Sequence, residues 1–127
     1  MRPSSYLIVA LGSALGGALR HGVNVASARL LGTAWPYGTF TVNVAGSFAI
    51  GAIVAYFALR GHVTSAWLLF LTTGVLGGFT TFSAFSLDVV LLYERGHTGL
   101  AALYVGGSVV VSVAAAFLGL IVLRRLL

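Results

Sequence analysis

The chain has no cysteine, and among its 127 residues only two are carboxylates, Asp88 and Glu94. Without cysteine there is no disulfide and no thiolate metal site. With two carboxylates and no Ser-His-Asp arrangement or phosphate loop, the usual apparatus of an enzyme is missing. His21, His62 and His97 have no metal-ligand spacing among them. Charged residues make up 7% of the chain, against about 25% in a soluble domain. So few charges cannot cover a water-exposed surface. The chain therefore reads as an integral membrane protein with no residues left over for a soluble enzymatic domain.

Net charge is +5, and all seven basic residues are arginine. In a soluble protein this balance would raise nucleic-acid binding. Here the arginines stand mostly singly near segment ends, as membrane flanks do, so a nucleic-acid partner is set aside. Arg2 followed by an apolar run from Tyr6 imitates a signal peptide. Arg20 and three further apolar spans favour a first transmembrane helix instead.

What the chain does have is long apolar runs: 59% of its residues are hydrophobic and its mean hydropathy is +1.06. One crossing needs about 20 apolar residues. Four runs meet that length, over residues 5–28, 38–59, 66–92 and 99–123, giving one four-helix transmembrane domain over residues 1–127. Trp35, Tyr37, Trp67 and Tyr93 sit near the ends, where interfacial aromatics belong. With four spans, Arg2, Arg60, Arg124 and Arg125 share one side. Arg29 and Arg95 lie on the other, with Arg20 if it reaches that interface. This small difference allows either a weakly fixed orientation or insertion both ways, the latter permitting an antiparallel homodimer.

The third run is longer than one crossing needs. Either an unbroken helix tilts, or it breaks at Gly77-Gly78; the glycines favour the break. Segment 74–85 holds three glycines, three hydroxyl residues and three phenylalanines. Irregular backbone at membrane depth survives only where protein buries it or where it lines a wet cavity. Function is therefore expected here. Gly12 and Gly16, Ser47 and Gly51, and Gly74 and Gly78 have the spacing that lets helices approach closely.

Thr39, Asn43 and Ser47 recur every fourth residue, as do Tyr104, Ser108 and Ser112. Each set forms one stripe about 12 Å long at the helical rise. Together with the polar third span they suggest a narrow hydrated path. The alternative is helix–helix hydrogen bonding, or for any one hydroxyl a bond to its own backbone. Asn43 stands out because its amide can donate to an anion. Phe82 and Phe85 share a helix face. They are either plain packing or rings whose positive edges lie beside an anion. Arg20 either snorkels to the interface or lends positive potential to a pore mouth. Asp88 pairs with Arg20 or another arginine, caps a helix, or sits at the interface.

Four motifs in order now resemble one family. They are Gly16-Gly17-Ala18-Leu19-Arg20; Pro36 through Ser47, following P-x-G-T-x-x-x-N-x-x-G-S; Gly77-Gly78-Phe79-Thr80-Thr81-Phe82-Ser83-Ala84-Phe85; and Tyr104, Ser108 and Ser112. The chain is similar along its whole length to the Fluc/CrcB fluoride channels. The resemblance implies an all-α protein whose four helices, the third broken, assemble as an antiparallel dual-topology homodimer in the bacterial plasma (inner) membrane. It implies two pores that pass fluoride, reject chloride and let cytoplasmic fluoride leave passively. It implies a structural sodium ion at the dimer centre, held by the backbone carbonyls of Gly77 and Thr80 of both subunits. Asn43 would donate to fluoride, Phe82 and Phe85 would turn ring edges toward it, and Tyr104, Ser108 and Ser112 would form a polar track. Thr39, Ser83 and Arg20 complete the expected pore set. Ala84 departs from the pattern, which usually has a hydroxyl residue there. Two other readings are weaker: a small proton-coupled multidrug exporter using Asp88, which stands too near a span end, and a non-transporting scaffold subunit, which would need no polar stripes.

Overall fold

The computed structural model describes residues 3–61 and 65–127, and every element among them is helical. Helix α1 runs Pro3–Leu31 and α2 runs Tyr37–Arg60. The third span is built from α3 (Ser65–Leu69), a π-helical stretch (Phe70–Leu76), α4 (Gly77–Phe79) and α5 (Phe82–Glu94). Helix α6 runs Thr98–Leu126. Four helical segments are long and apolar enough to cross a membrane, so the chain is an integral multi-pass membrane protein. The helices extend one to three residues past the limits expected from hydropathy, because flanking residues continue the same backbone bonds. Of the residues invoked for orientation, Arg2 lies outside the described residues, as does His62.

Chain reversals use left-handed glycines: Gly61 (φ 69°) ends α2 and donates its N–H to Phe57 O, and Gly96 (φ 84°) follows α5. Such backbone angles cost glycine little and other residues more.

Small residues set the packing. A Cβ on Gly12 would lie 2.7 Å from Phe70 O and 2.8 Å from Gly74 Cα, and one on Gly78 would lie 2.9 Å from Ser13 Cα. α1 and the first part of the third span therefore touch backbone to backbone, both glycine pairs meeting in one seam. A Cβ on Gly51 would overlap Ala116 O and one on Gly119 would overlap Phe48 O, so α2 and α6 press together in the same way. Gly12 meets Phe70 and Gly74 while Gly16 meets Val75 and Phe79, so spans one and three run parallel. Thr39 bonds Tyr104 while Gly51 meets Ala116 and Leu120, so spans two and four do as well. The short turn after α1 brings Gly38 back against Asn24, and Asn43 meets Thr81 while Gly46 meets Thr80 and Phe79, so α2 runs opposite to both α1 and the third span. Close backbone approach replaces the hydrophobic drive that lipid does not provide between helices.

The buried core is small: Val42, Ala55, Leu76, Phe85, Leu92, Ala101 and Tyr104 are its apolar members. Large apolar side chains on α1, α2, α5 and α6 face outward, among them Leu11, Leu30, Val110 and Phe117. A water-soluble monomer does not expose such continuous apolar surface; lipid or another subunit accepts it.

Candidate functional site

The third span bends where its helical bonding stops. Thr80 (φ −86°, ψ 159°) and Thr81 (φ −153°, ψ 124°) are extended, and α5 restarts at Phe82. The interruption thus falls three residues after Gly77-Gly78, where the sequence placed it. Gly77 itself is right-handed helical (φ −61°, ψ −38°). Gly78 has a different role, giving α1 room to approach.

Side chains from two other helices hold the bend. Asn43 Nδ2 donates to Thr81 O at 3.0 Å, and Thr81 N donates to Asn43 Oδ1 at 2.8 Å. Arg20 Nε donates to Gly78 O at 3.0 Å. Ala84 N donates to Thr81 Oγ1 at 3.1 Å, so Thr81 is the N-cap of α5. Caps of this kind satisfy N–H groups that the start of a helix leaves open. These bonds have a consequence for two carbonyls. In an unbroken helix Thr81 N–H would bond Gly77 O and Ala84 N–H would bond Thr80 O. Both donors are turned elsewhere, and Gly77 O and Thr80 O lose their helical partners.

A cleft of about 370 Å³ opens beside the bend. It is lined by Asn43, Ser47, Thr80, Phe82, Phe85, Ser108 and Ser112, with Gly77 and Thr72. The structure thus brings seven of the expected site residues to one cleft (Asn43, Gly77, Thr80, Phe82, Phe85, Ser108 and Ser112). Ser108 is 5% exposed, and its Oγ has no hydrogen-bond partner. A buried hydroxyl left unbonded costs about 1–3 kcal/mol, so the group is suited to a guest. Tyr104 is fully buried behind this cleft, and its OH donates to Asp88 Oδ2 at 3.0 Å. Asp88 pairs with this phenol and not with Arg20.

Arg20, Thr39 and Ser83 stand apart from the cleft lining. Arg20 is not near a helix end, since α1 continues eleven residues beyond it to Leu31. Its guanidinium therefore bonds the bend and does not snorkel. Thr39 is buried and lines a second cleft of about 350 Å³, together with Asp88 and Ala84. Ser83 is exposed in the first turn of α5, its Oγ 3.3 Å from Thr81 Oγ1. A hydroxyl at position 84 would face the second cleft, so Ala84 removes a polar group there. Two polar residues of the bend cleft were given no role from sequence: Thr72 and Thr81. Thr81 carried a legible signal, a hydroxyl residue directly before a helical run. The Thr72 hydroxyl bonds Leu68 O at 2.7 Å, which spacing alone does not reveal.

The two phenylalanines differ. Phe85 is 8% exposed and packs on Tyr104 with ring centroids 5.0 Å apart, whereas Phe82 is 77% exposed. Phe85→Ala is expected to destabilise the fold by about 3 kcal/mol, in the range for buried aromatic truncation. Phe82→Ala should cost much less. Thermal unfolding of the detergent-solubilised protein checks the order, and equal losses would contradict it.

No cluster of three or more histidine, aspartate or glutamate residues suited to a metal exists among the described residues.

The chain is similar to known proteins over nearly its whole length. The chain is 56% identical over 122 residues to a protein of Nitrobacter hamburgensis named Fluoride-specific ion channel FluC 2, covering 96% of this chain and 98% of that one. It is 56% identical over 122 residues to Fluoride-specific ion channel FluC of Rhodopseudomonas palustris (strain BisB5), with the same coverage. It is 54% identical over 123 residues to the protein of that name from Granulibacter bethesdensis, covering 97% of each. Residues 7–120 match the family described as CrcB-like protein, Camphor Resistance (CrcB). The chain, with its four apolar helices and its bent third span, belongs to the CrcB-like protein family.

Proposed function

We propose that this chain is a fluoride-selective ion channel, not an enzyme, and that it releases cytoplasmic fluoride passively across the bacterial plasma (inner) membrane. The likeness over nearly the full length to relatives named fluoride-specific ion channels carries the reading. The cleft supports it chemically. Its polar groups are neutral donors set among apolar walls, which suits an ion that must enter and leave. The unpartnered Ser108 hydroxyl and the Ser112 hydroxyl provide donors along one helix face. The Phe82 and Phe85 rings, with centroids 5.5 Å apart, offer weakly positive edges. The Asn43 amide spends one N–H on Thr81 O and keeps a second for an anion.

In this reading the bend is a true break of the third transmembrane helix, and two chains pair antiparallel, in dual topology, around it. The 77% exposure of Phe82 and the openness of the cleft in a single chain favour a second subunit that closes two pores. Rejection of chloride belongs to the same reading. The Gly77 and Thr80 carbonyls of both subunits would hold a sodium ion. They fit, because both have lost their helical donors and are hard oxygen ligands of the kind small hard cations take. Bound there, the ion supplies fixed positive charge close to the anion path.

Efflux from liposomes, read with fluoride and chloride electrodes, tests the proposal. Fast fluoride release without chloride release is expected, with Phe82→Ile slowing it in a protein that stays folded. Purified, dimeric protein in sodium that releases neither ion would overturn the reading.

A further inference from the structure

The second cleft lies at the far end of Tyr104 from the first. It is bounded by the end of α1, the turn over residues 32–36, the start of α2 and the inner face of α5. Among its lining residues are Asn24, Trp35, Tyr37 and Arg95, all hydrogen-bond donors, and one carboxylate, Asp88. The Trp35 Nε1 is buried and has no hydrogen-bond partner. An indole N–H can only donate, so the group that completes it must be an acceptor. No ion pair engages the Arg95 guanidinium among the described residues.

Rings connect the two clefts. Phe82 and Phe85 are 5.5 Å apart, Phe85 and Tyr104 5.0 Å, Tyr104 and Trp35 5.2 Å, and Trp35 and Tyr37 5.2 Å. The first two rings line the bend cleft and the last two line the second cleft, with the buried Tyr104 between them.

We propose that the second cleft is an anion-binding mouth of the conduction path, in which the Trp35 indole N–H and the Arg95 guanidinium hold a small anion next to Tyr104. It rests on the channel reading. Asp88 shares the cleft and repels the anion, and that opposition serves a mouth, because a conducting site must release what it binds. Its carboxylate is partly engaged by the Tyr104 hydroxyl, which limits the repulsion.

The test uses the full chain carrying Trp67→Phe, which leaves Trp35 as its single tryptophan. Sodium fluoride is titrated against sodium gluconate at constant ionic strength, and Trp35 emission is followed. A saturable change is expected. Arg95→Gln should raise its midpoint about tenfold, the scale of one lost charge contact near a surface. Asp88→Asn should lower it. A flat titration, or a midpoint that Arg95→Gln leaves in place, overturns the mouth. Arg95 is exposed, so its variant is not expected to unfold. The liposome assay separates the two ideas: fluoride efflux with a flat titration removes only the mouth. A saturable titration without efflux removes the channel and leaves an anion site.

Discussion

Asn43→Ala is expected to reduce fluoride efflux at least about thirtyfold while the protein remains helical and membrane-inserted. The amide of Asn43 bonds both the N–H and the C=O of Thr81, at 2.8 and 3.0 Å. Alanine leaves both backbone groups unpaired in a part-buried site, each at about 1–3 kcal/mol. A loss of about 2 kcal/mol falling on the conducting conformation alone corresponds to roughly thirtyfold in rate. The bend can also relax: Thr81 N–H returns to Gly77 O, and the carbonyl assigned to the cation is consumed. Asn43→Asp separates these effects. It keeps an acceptor for Thr81 N–H but sets a carboxylate oxygen against Thr81 O, so it should conduct no better than the alanine variant. Full efflux from either variant, measured with a fluoride electrode, would show that the bend does not depend on this side chain.

Two adjacent glycines should respond with opposite signs. A Cβ on Gly16 would overlap Val75 O and lie 2.8 Å from Phe79 N. These are backbone atoms of the neighbouring span and cannot swing away as a side-chain tip can. Gly16→Ala must push α1 off the third span. That separation also breaks the Ser13 Oγ bond to Gly74 O (3.3 Å) and the Arg20 Nε bond to Gly78 O. Little folded, monodisperse protein is expected on gel filtration. Gly17 has nothing within 4 Å of the same added atom. Gly17→Ala should be tolerated, and helix propensity alone favours it by about 1 kcal/mol. Comparable yields of the two variants would refute the backbone seam.

Much of this molecule was legible because membrane insertion is a local matter. Hydropathy sums over neighbouring residues, and a bilayer imposes one length on every crossing. The four spans therefore follow from the chain read in order. The glycine pairs also spoke correctly, since GxxxG spacing places small residues on one face whatever that face meets. The individual polar residues were harder. Asn43 was read as an anion donor, and the structure gives it a second task, because one N–H and its Oδ1 bond Thr81. Arg20 was read as a flank or a field source, yet it bonds Gly78 O. In each case the partner lies on another helix, 38 and 58 residues away in the chain, and no local pattern announces it.

Residue order alone was enough for the membrane class, the four crossings, the special third span and seven of the residues that line its cleft. Those features depend on residue type and on helical spacing, both of which are local. The tertiary structure decided the rest. It moved the interruption from Gly77-Gly78 to Thr80-Thr81, because Asn43 and the Thr81 cap hold the backbone there while Gly78 is used for packing. It buried Phe85 and left Phe82 outside, turned Asp88 toward Tyr104, and placed Trp35 with an unbonded N–H beside a second cleft. These outcomes depend on which helix lies against which, and close backbone packing between distant glycines sets that arrangement.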